Sequence, residues 1–199
     1  MKNLKKEQRV DEILLSLKRL DYLCTTQIQK LHNLGGERNT RRFMQSMSEY
    51  VSNFRDMENV YYLNKKGRER ISSDVIRSKI SPCTHYLMRN DFYIKNRPEL
   101  FETEQIVEVG KVRVRPDVWV KLRGGYYFLE IDNTQRMVKN EQKIEKYRQL
   151  LDTGAFQKQF GYFPRILWVT CLASRKKSLA NKCKEMGLQT TVIQWEELR

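Results

Sequence analysis

Ile106-Val107-Glu108-Val109-Gly110-Lys111-Val112-Arg113-Val114-Arg115-Pro116-Asp117-Val118-Trp119-Val120, followed past Arg123-Gly124-Gly125 by Tyr126-Tyr127-Phe128-Leu129-Glu130-Ile131-Asp132, is the stretch on which the fold turns. From Gln105 the apolar residues recur with period two, as on one face of an extended chain, and the glycine-containing breaks make these runs hairpin strands. Downstream the pattern predicts a long helix from about Thr134 to Leu151 and a buried-type strand over Arg165 to Thr170. A basic helix from Ser174 to Met186, Gly187 and a last strand from Thr190 to Trp195 follow. The order β-β-β-α-β-α-β predicts an α/β (α+β) domain with a mixed sheet over residues 98–199.

The first part of the chain reads differently. Val10, Ile13, Leu14 and Leu17 recur at helical spacing up to Lys18-Arg19, and Tyr22-Leu23-Cys24 is short and extended. Thr25 and Thr26 are good N-cap residues for a second helix carrying Ile28 and Leu31 and stopping at Gly35-Gly36. A third helix, from about Glu37 to Tyr50, directs Phe43, Met44 and Met47 to a core and sets Arg38, Arg41 and Arg42 on one face. In a helix-turn-helix the second helix of the pair enters the major groove N-terminus first, so these arginines, with Asn39 and Thr40, are candidates for phosphate and base contacts. The bland alternative is a solvated basic face. Val60-Tyr61-Tyr62-Leu63-Asn64-Lys65-Lys66-Gly67-Arg68 resembles the strand and turn that close many bacterial winged-helix domains. That likeness implies a winged helix-turn-helix over residues 1–71, with Arg55, Lys65, Lys66 and Arg68 expected as backbone contacts of the wing.

Ser72, Ser73, Ser78, Ser81 and Pro82 interrupt the periodicity and place a junction between about Ile71 and Pro82, within a linker and connector over residues 72–97. Thr84 to Ile94 reads as a capped helix with Leu87, Phe92 and Ile94 as apolar contacts. His85 lies in its first turn, where a histidine is more often a structural hydrogen-bonder than a base.

The net charge is +14 and the isoelectric point about 9.7, which points to a polyanion, because neutralising phosphates releases condensed counterions. Residues 1–80 carry 17 basic and 10 acidic side chains, +7, leaving +7 for the remainder, so both parts could touch it. No apolar run approaches the roughly 20 residues that cross a bilayer, and no basic amphipathic helix suggests a membrane surface. The charged residues after the basic start argue against a secretory signal, so a cytoplasmic location with the nucleoid or a plasmid is expected. Cys24, Cys83, Cys171 and Cys183 are far apart with only two histidines to join them, which argues against zinc. Cys24 and Cys171, among apolar residues, read as reduced core thiols.

Pro116-Asp117 on one strand and Glu130-x-Asp132 at the end of the next, within this element order, resemble the PD-(D/E)xK nuclease fold of restriction and repair enzymes. The resemblance implies a restriction-endonuclease-like domain in which Asp117 and Glu130 hold Mg²⁺ or Mn²⁺ for phosphodiester hydrolysis. Asp132 stands where that family has lysine. Lys143 is then the candidate cation, and Lys143 with Tyr147, one turn apart, resembles the glutamine-x-x-x-tyrosine feature of RecB-like members. The competing possibility is that Asp117 closes a turn, Glu130 and Asp132 pair with lysines, and the fold survives as a DNA-binding scaffold.

Over nearly the whole chain, the helical first part, His85-Tyr-Leu-Met-Arg-Asn-Asp-Phe92, Arg115-Pro-Asp-Val118, Phe128-Leu-Glu-Ile-Asp-Asn-Thr134 and Lys143-Ile-Glu-Lys-Tyr147 resemble the replication-relaxation family. Its members occur on plasmids, phages and integrative elements, which implies a double-stranded-DNA-binding accessory protein in plasmid replication initiation or DNA mobilisation. A partner replication or transfer protein is implied too, and winged-helix analogy suggests a homodimer. Two alternatives stay open: a Mg²⁺- or Mn²⁺-dependent nicking or cleaving endonuclease using the Asp117 and Glu130 site, with Asp132 as a further candidate ligand and Lys143 assisting, and a transcriptional regulator. A relaxase with clustered histidines is disfavoured, since the two histidines stand apart.

Overall fold

The structure, a computed structural model, describes residues 2–80, 83–133 and 135–199. Ser81 and Pro82 of the expected junction, and Thr134 at the expected helix start, lie outside the described residues. The chain divides into two units, residues 1–90 and 91–199.

In the first unit the helical stripe is real. Val10, Ile13, Leu14, Leu17 and Leu20 of α1 (Lys2–Leu20) are all buried. Asp21, at φ 67°, ends the helix; short polar side chains tolerate that left-handed conformation better than β-branched ones do. A two-residue strand, β1 (Leu23–Cys24), leads into α2 (Thr25–His32), whose N-cap is Cys24 and not a threonine. Thr26 instead donates through its backbone N–H and its hydroxyl to Glu58, at 2.9 and 3.0 Å. The helix stops at Asn33, in the left-handed region, ahead of the Gly35-Gly36 pair, and Gly36 caps α3 (Glu37–Ser46). α3 is shorter than expected because Met47, buried, turns the chain into β2 (Val51–Arg55). β3 (Asn59–Leu63) pairs antiparallel with β2 and with β1, giving the order β1-β3-β2.

Lys65, Lys66 and Arg68 were expected on a wing loop and lie instead on a helix, α4 (Lys65–Arg70). Asn64 explains the difference: its side chain accepts from the Gly67 N–H at 3.0 Å and donates to the Glu49 carbonyl at 3.0 Å, so it starts a helix where a turn was read. Gly67 is needed for close approach, since a Cβ there would stand 2.1 Å from the Tyr50 carbonyl oxygen. The tip of the β2–β3 hairpin is Asp56-Met57-Glu58, with Arg55 exposed beside it.

The segment after α4 has no regular structure over residues 74–80, but Tyr22 donates to the Ser78 carbonyl at 2.7 Å and Arg77 pairs with Asp21 at 2.7 Å. In α5 (Thr84–Asn96), Leu87 and Phe92 are buried as expected and Ile94 only half-buried. Buried Arg89 donates to the Leu20 carbonyl and to Asp21, each at 2.9 Å. Asn90 donates to the carbonyls of Leu20 and Tyr22 at 3.0 and 2.6 Å. These two polar side chains hold the chain where α1 ends, and the Leu20 carbonyl also accepts from the Tyr22 N–H at 2.8 Å.

The second unit has a five-stranded mixed sheet of order β10-β9-β8-β7-β4. β7 (Val118–Leu122) and β8 (Gly125–Asp132) form the expected hairpin, and β9 (Arg165–Thr170) and β10 (Thr190–Gln194) run parallel to β8. An edge strand, β4 (Leu100–Thr103), pairs antiparallel with β7. β5 (Val107–Val109) and β6 (Val112–Val114) form their own two-stranded ladder apart from the main sheet. α6 (Met137–Asp152) and α8 (Ala173–Glu185) fall close to expectation, and a short α7 (Ala155–Phe160) follows Gly154. Phe128, Trp168, Ile144, Tyr147 and Leu150 are fully buried in the core between sheet and helices. No helix among the described residues is long and apolar enough to cross a membrane. Cys24, Cys83 and Cys183 are buried thiols, whereas Cys171, expected in the core, is half-buried with its thiol 3.2 Å from the Asn133 carbonyl.

Candidate functional site

The register of β7 and β8 sets Val118 opposite Leu129, which brings Asp117 beside Glu130 at the end of the ladder. One Asp117 oxygen accepts from the Ile131 N–H at 2.7 Å. Residues 128, 130 and 132 point to the same face of β8. Asn140, Lys143 and Tyr147 share one face of α6, and that face meets the acidic residues: Lys143 and Tyr147 both donate to Glu130, one to each carboxylate oxygen. The Lys143 ammonium is also 4.0 Å from Asp117, so it stands between the two carboxylates.

Glu130 is fully buried, and burial pushes its carboxyl up to about 8, with Asp117 pushing the same way and Lys143 and Tyr147 opposing. Burial lowers Lys143, but Glu130 and Asp117 outweigh it and hold the ammonium above its ordinary value. The Tyr147 hydroxyl is raised by burial and then by Glu130, so it remains a donor. The cluster is therefore a hydrogen-bonded set of one cation and two acids, as buried charges require.

Asp132 plays a different part. It is fully buried and accepts from Asn140 at 2.8 Å and from the Thr170 hydroxyl at 2.9 Å, with Arg175 at 3.3 Å. These three partners fix it as the link joining β8, β9, α6 and α8. A resident Mg²⁺ or Mn²⁺ does not fit this arrangement. Both Glu130 oxygens are engaged, Asp132 is held by three other groups, and the Lys143 ammonium already lies against both Glu130 and Asp117. Among the described residues no group of three or more histidine, cysteine, aspartate or glutamate side chains is set to hold a metal.

In the first unit, α3 exposes Arg38, Asn39, Arg41 and Arg42 and buries Thr40 and Met44 beneath them. Arg41 pairs with Glu37 one turn earlier, both half-exposed, an interaction worth little and open to competition. Asn39 donates to the Leu34 carbonyl at 2.5 Å. Thr40, expected as a base reader, has no exposed surface and its hydroxyl donates to the Gly36 carbonyl at 3.2 Å, so it anchors the helix start instead. Lys66 pairs with Glu49 at 3.1 Å, Lys65 lies 3.9 Å from Glu69, and Arg68 is half-buried. His85 is half-buried, edge-on to Tyr86.

The family model for replication-relaxation proteins matches residues 14–166. The chain belongs to the replication-relaxation family. The replication-relaxation match takes in α3 and the Asp117, Glu130, Lys143 and Tyr147 cluster, while Thr170 and Arg175, which hold Asp132, lie beyond it. No curated protein matches the chain.

Sequence reasoning missed Arg89, Asn90, Asn140 and Arg175. Asn140 alone left a signal: a polar residue on the inward stripe of a helix usually has a buried partner.

Proposed function

We propose that this replication-relaxation protein is a double-stranded-DNA-binding accessory protein of a bacterial mobile element, acting in plasmid replication initiation or DNA mobilisation. Its first unit is the DNA reader. The order α1, β1, α2, α3, β2, β3 supports a winged-helix reading, with α3 as its recognition helix. What carries the reading is the exposed face of α3: Arg38, Arg41 and Arg42 project from a helix whose opposite side is tied to the core by Thr40, Met44 and Met47. Arginine suits this role because its planar fork grips phosphate and the guanine edge with paired hydrogen bonds. Arg55, beside the hairpin tip, contributes a backbone contact. A homodimer on a two-fold site and a replication or transfer protein of the same element are the proposed partners, in the cytoplasm with plasmid or nucleoid.

A labelled duplex of about 20 base pairs, titrated with wild-type protein at several salt concentrations, tests the proposal. The expected result is log affinity falling linearly with log salt, with a slope of magnitude about 4 or more, as several phosphate contacts require. Absence of binding at 50 mM salt contradicts it.

The second reading is hydrolytic, favoured by the adjacency of Asp117 and Glu130 across the β7–β8 ladder. It ranks below the first because Lys143 would have to leave before Mg²⁺ or Mn²⁺ could enter. Mg²⁺-dependent nicking of supercoiled plasmid that is lost in Asp117→Asn would establish it.

A further inference from the structure

The β5–β6 hairpin and α6 enclose an open groove of about 540 Å³ whose floor is Val114. Arg113 and Arg115 line one wall, and Lys139, Gln142 and Lys146 line the other, with Lys143 at the end nearest Asp117 and Glu130. We infer that this groove is a second nucleic-acid site, one that holds the sugar-phosphate backbone of a polynucleotide against α6. This rests on the reading above that the protein's partner is DNA, and adds where the second unit takes hold of it.

Three observations support that occupant. The walls carry five cations against one acid, Glu145. Arg115 pairs with Glu104 at 2.6 Å and Arg113 lies 3.9 Å from Glu108, but all four side chains are more than half exposed, so phosphate can compete for the arginines. The spacing also suits a backbone contact. Lys139, Gln142, Lys146 and Gln149 form a stripe along α6, and Lys139 to Lys146 spans about 10.5 Å of helix, the axial rise of about three base steps, so the two lysines can reach different phosphates of one strand. Finally, the stripe is made of long flexible donors with no aromatic platform, which suits gripping a backbone and not stacking bases.

The consequence is a division of labour within one chain: α3 selects a site and the groove holds a strand beside the Asp117, Glu130 and Lys143 cluster. The test is the triple substitution Arg113→Glu, Lys139→Glu, Lys146→Glu, all at exposed positions. It is compared with wild type and with Arg41→Glu/Arg42→Glu by anisotropy on a single strand and on a duplex of equal length. Expected is at least a tenfold loss of affinity for one or both, with the salt slope reduced by about 2 to 3, and a further loss when the two sets are combined. The neutral variant Lys139→Gln/Lys146→Gln, with an unchanged melting temperature, should show a smaller loss in the same direction. If wild type binds and the α3 variant weakens it, but the groove variants leave affinity and slope unaltered, the groove assignment falls alone. If wild type binds no DNA, both readings fall.

Discussion

Asp132→Ala is expected to unfold residues 91–199 near ordinary temperature, not merely to silence a chemical step. The carboxylate has no exposed surface and receives hydrogen bonds from Asn140 and Thr170 and the charge of Arg175, whose side chain is 19% exposed. Removing it leaves three donors, one of them a cation, facing a cavity. Breaking a buried ion pair by deleting one partner costs about 3–5 kcal/mol, a large share of the roughly 5–15 kcal/mol that holds a domain together. In a unit of this size the melting temperature should fall by about 10–20 °C. Asp132→Asn, which keeps the shape and loses the charge, should fall less. A melting curve followed by circular dichroism reads both. A catalytic Asp132 would behave in the opposite way, with an unchanged melt and altered chemistry.

The second large effect concerns Lys143→Met. Lys143 neutralises Asp117 and Glu130 together, and methionine keeps most of its length while removing the charge. Glu130, already raised to about 8 by burial, then rises further because its main counter-charge is gone. A carboxyl that holds its proton more tightly when folded favours the folded chain below its unfolded pKa and loses that advantage as pH climbs through the folded value. The variant should therefore lose about 1 kcal/mol at pH 6 and about 2 kcal/mol at pH 9, about one unit above the wild-type value. The double variant Glu130→Gln/Lys143→Met should recover much of the loss and flatten the pH dependence, since the fully buried acid is gone and Asp117, which remains, is partly exposed. Urea denaturation across that range is the measurement. A penalty that did not grow with pH would mean that Lys143 does not balance Glu130.

Both effects arise from contacts of differing visibility in the sequence. The β7–β8 hairpin, β9, β10 and the inward stripe of α1 were legible because period two and period 3.6 are local signals. Asp117, Glu130, Lys143 and Tyr147 could be expected together, since strand register and one helical turn bring them to one place. The network of Asp132 could not, because its partners lie 8, 38 and 43 residues away. α4 was misread for a related reason. Gly67 looks like a turn glycine, yet the need for it comes from the Tyr50 carbonyl, which approaches only when β2 and β3 have paired. β4 went unseen because, of its four residues, Phe101 alone is buried, too brief an alternation to register. On α3, exposure separated the arginines from Thr40, whose place between them in sequence hid its inward direction.

Charge reversal on the arginine face of α3 tests most directly whether DNA meets the protein there. With the Asp132 network and the groove left intact, Arg38→Glu/Arg41→Glu/Arg42→Glu should melt as wild type does. It should also lose at least a hundredfold in duplex affinity at 100 mM salt, and its salt slope should drop by about 3. A folded triple variant that binds duplex with wild-type affinity and slope would contradict the assignment of α3 as the DNA-reading helix.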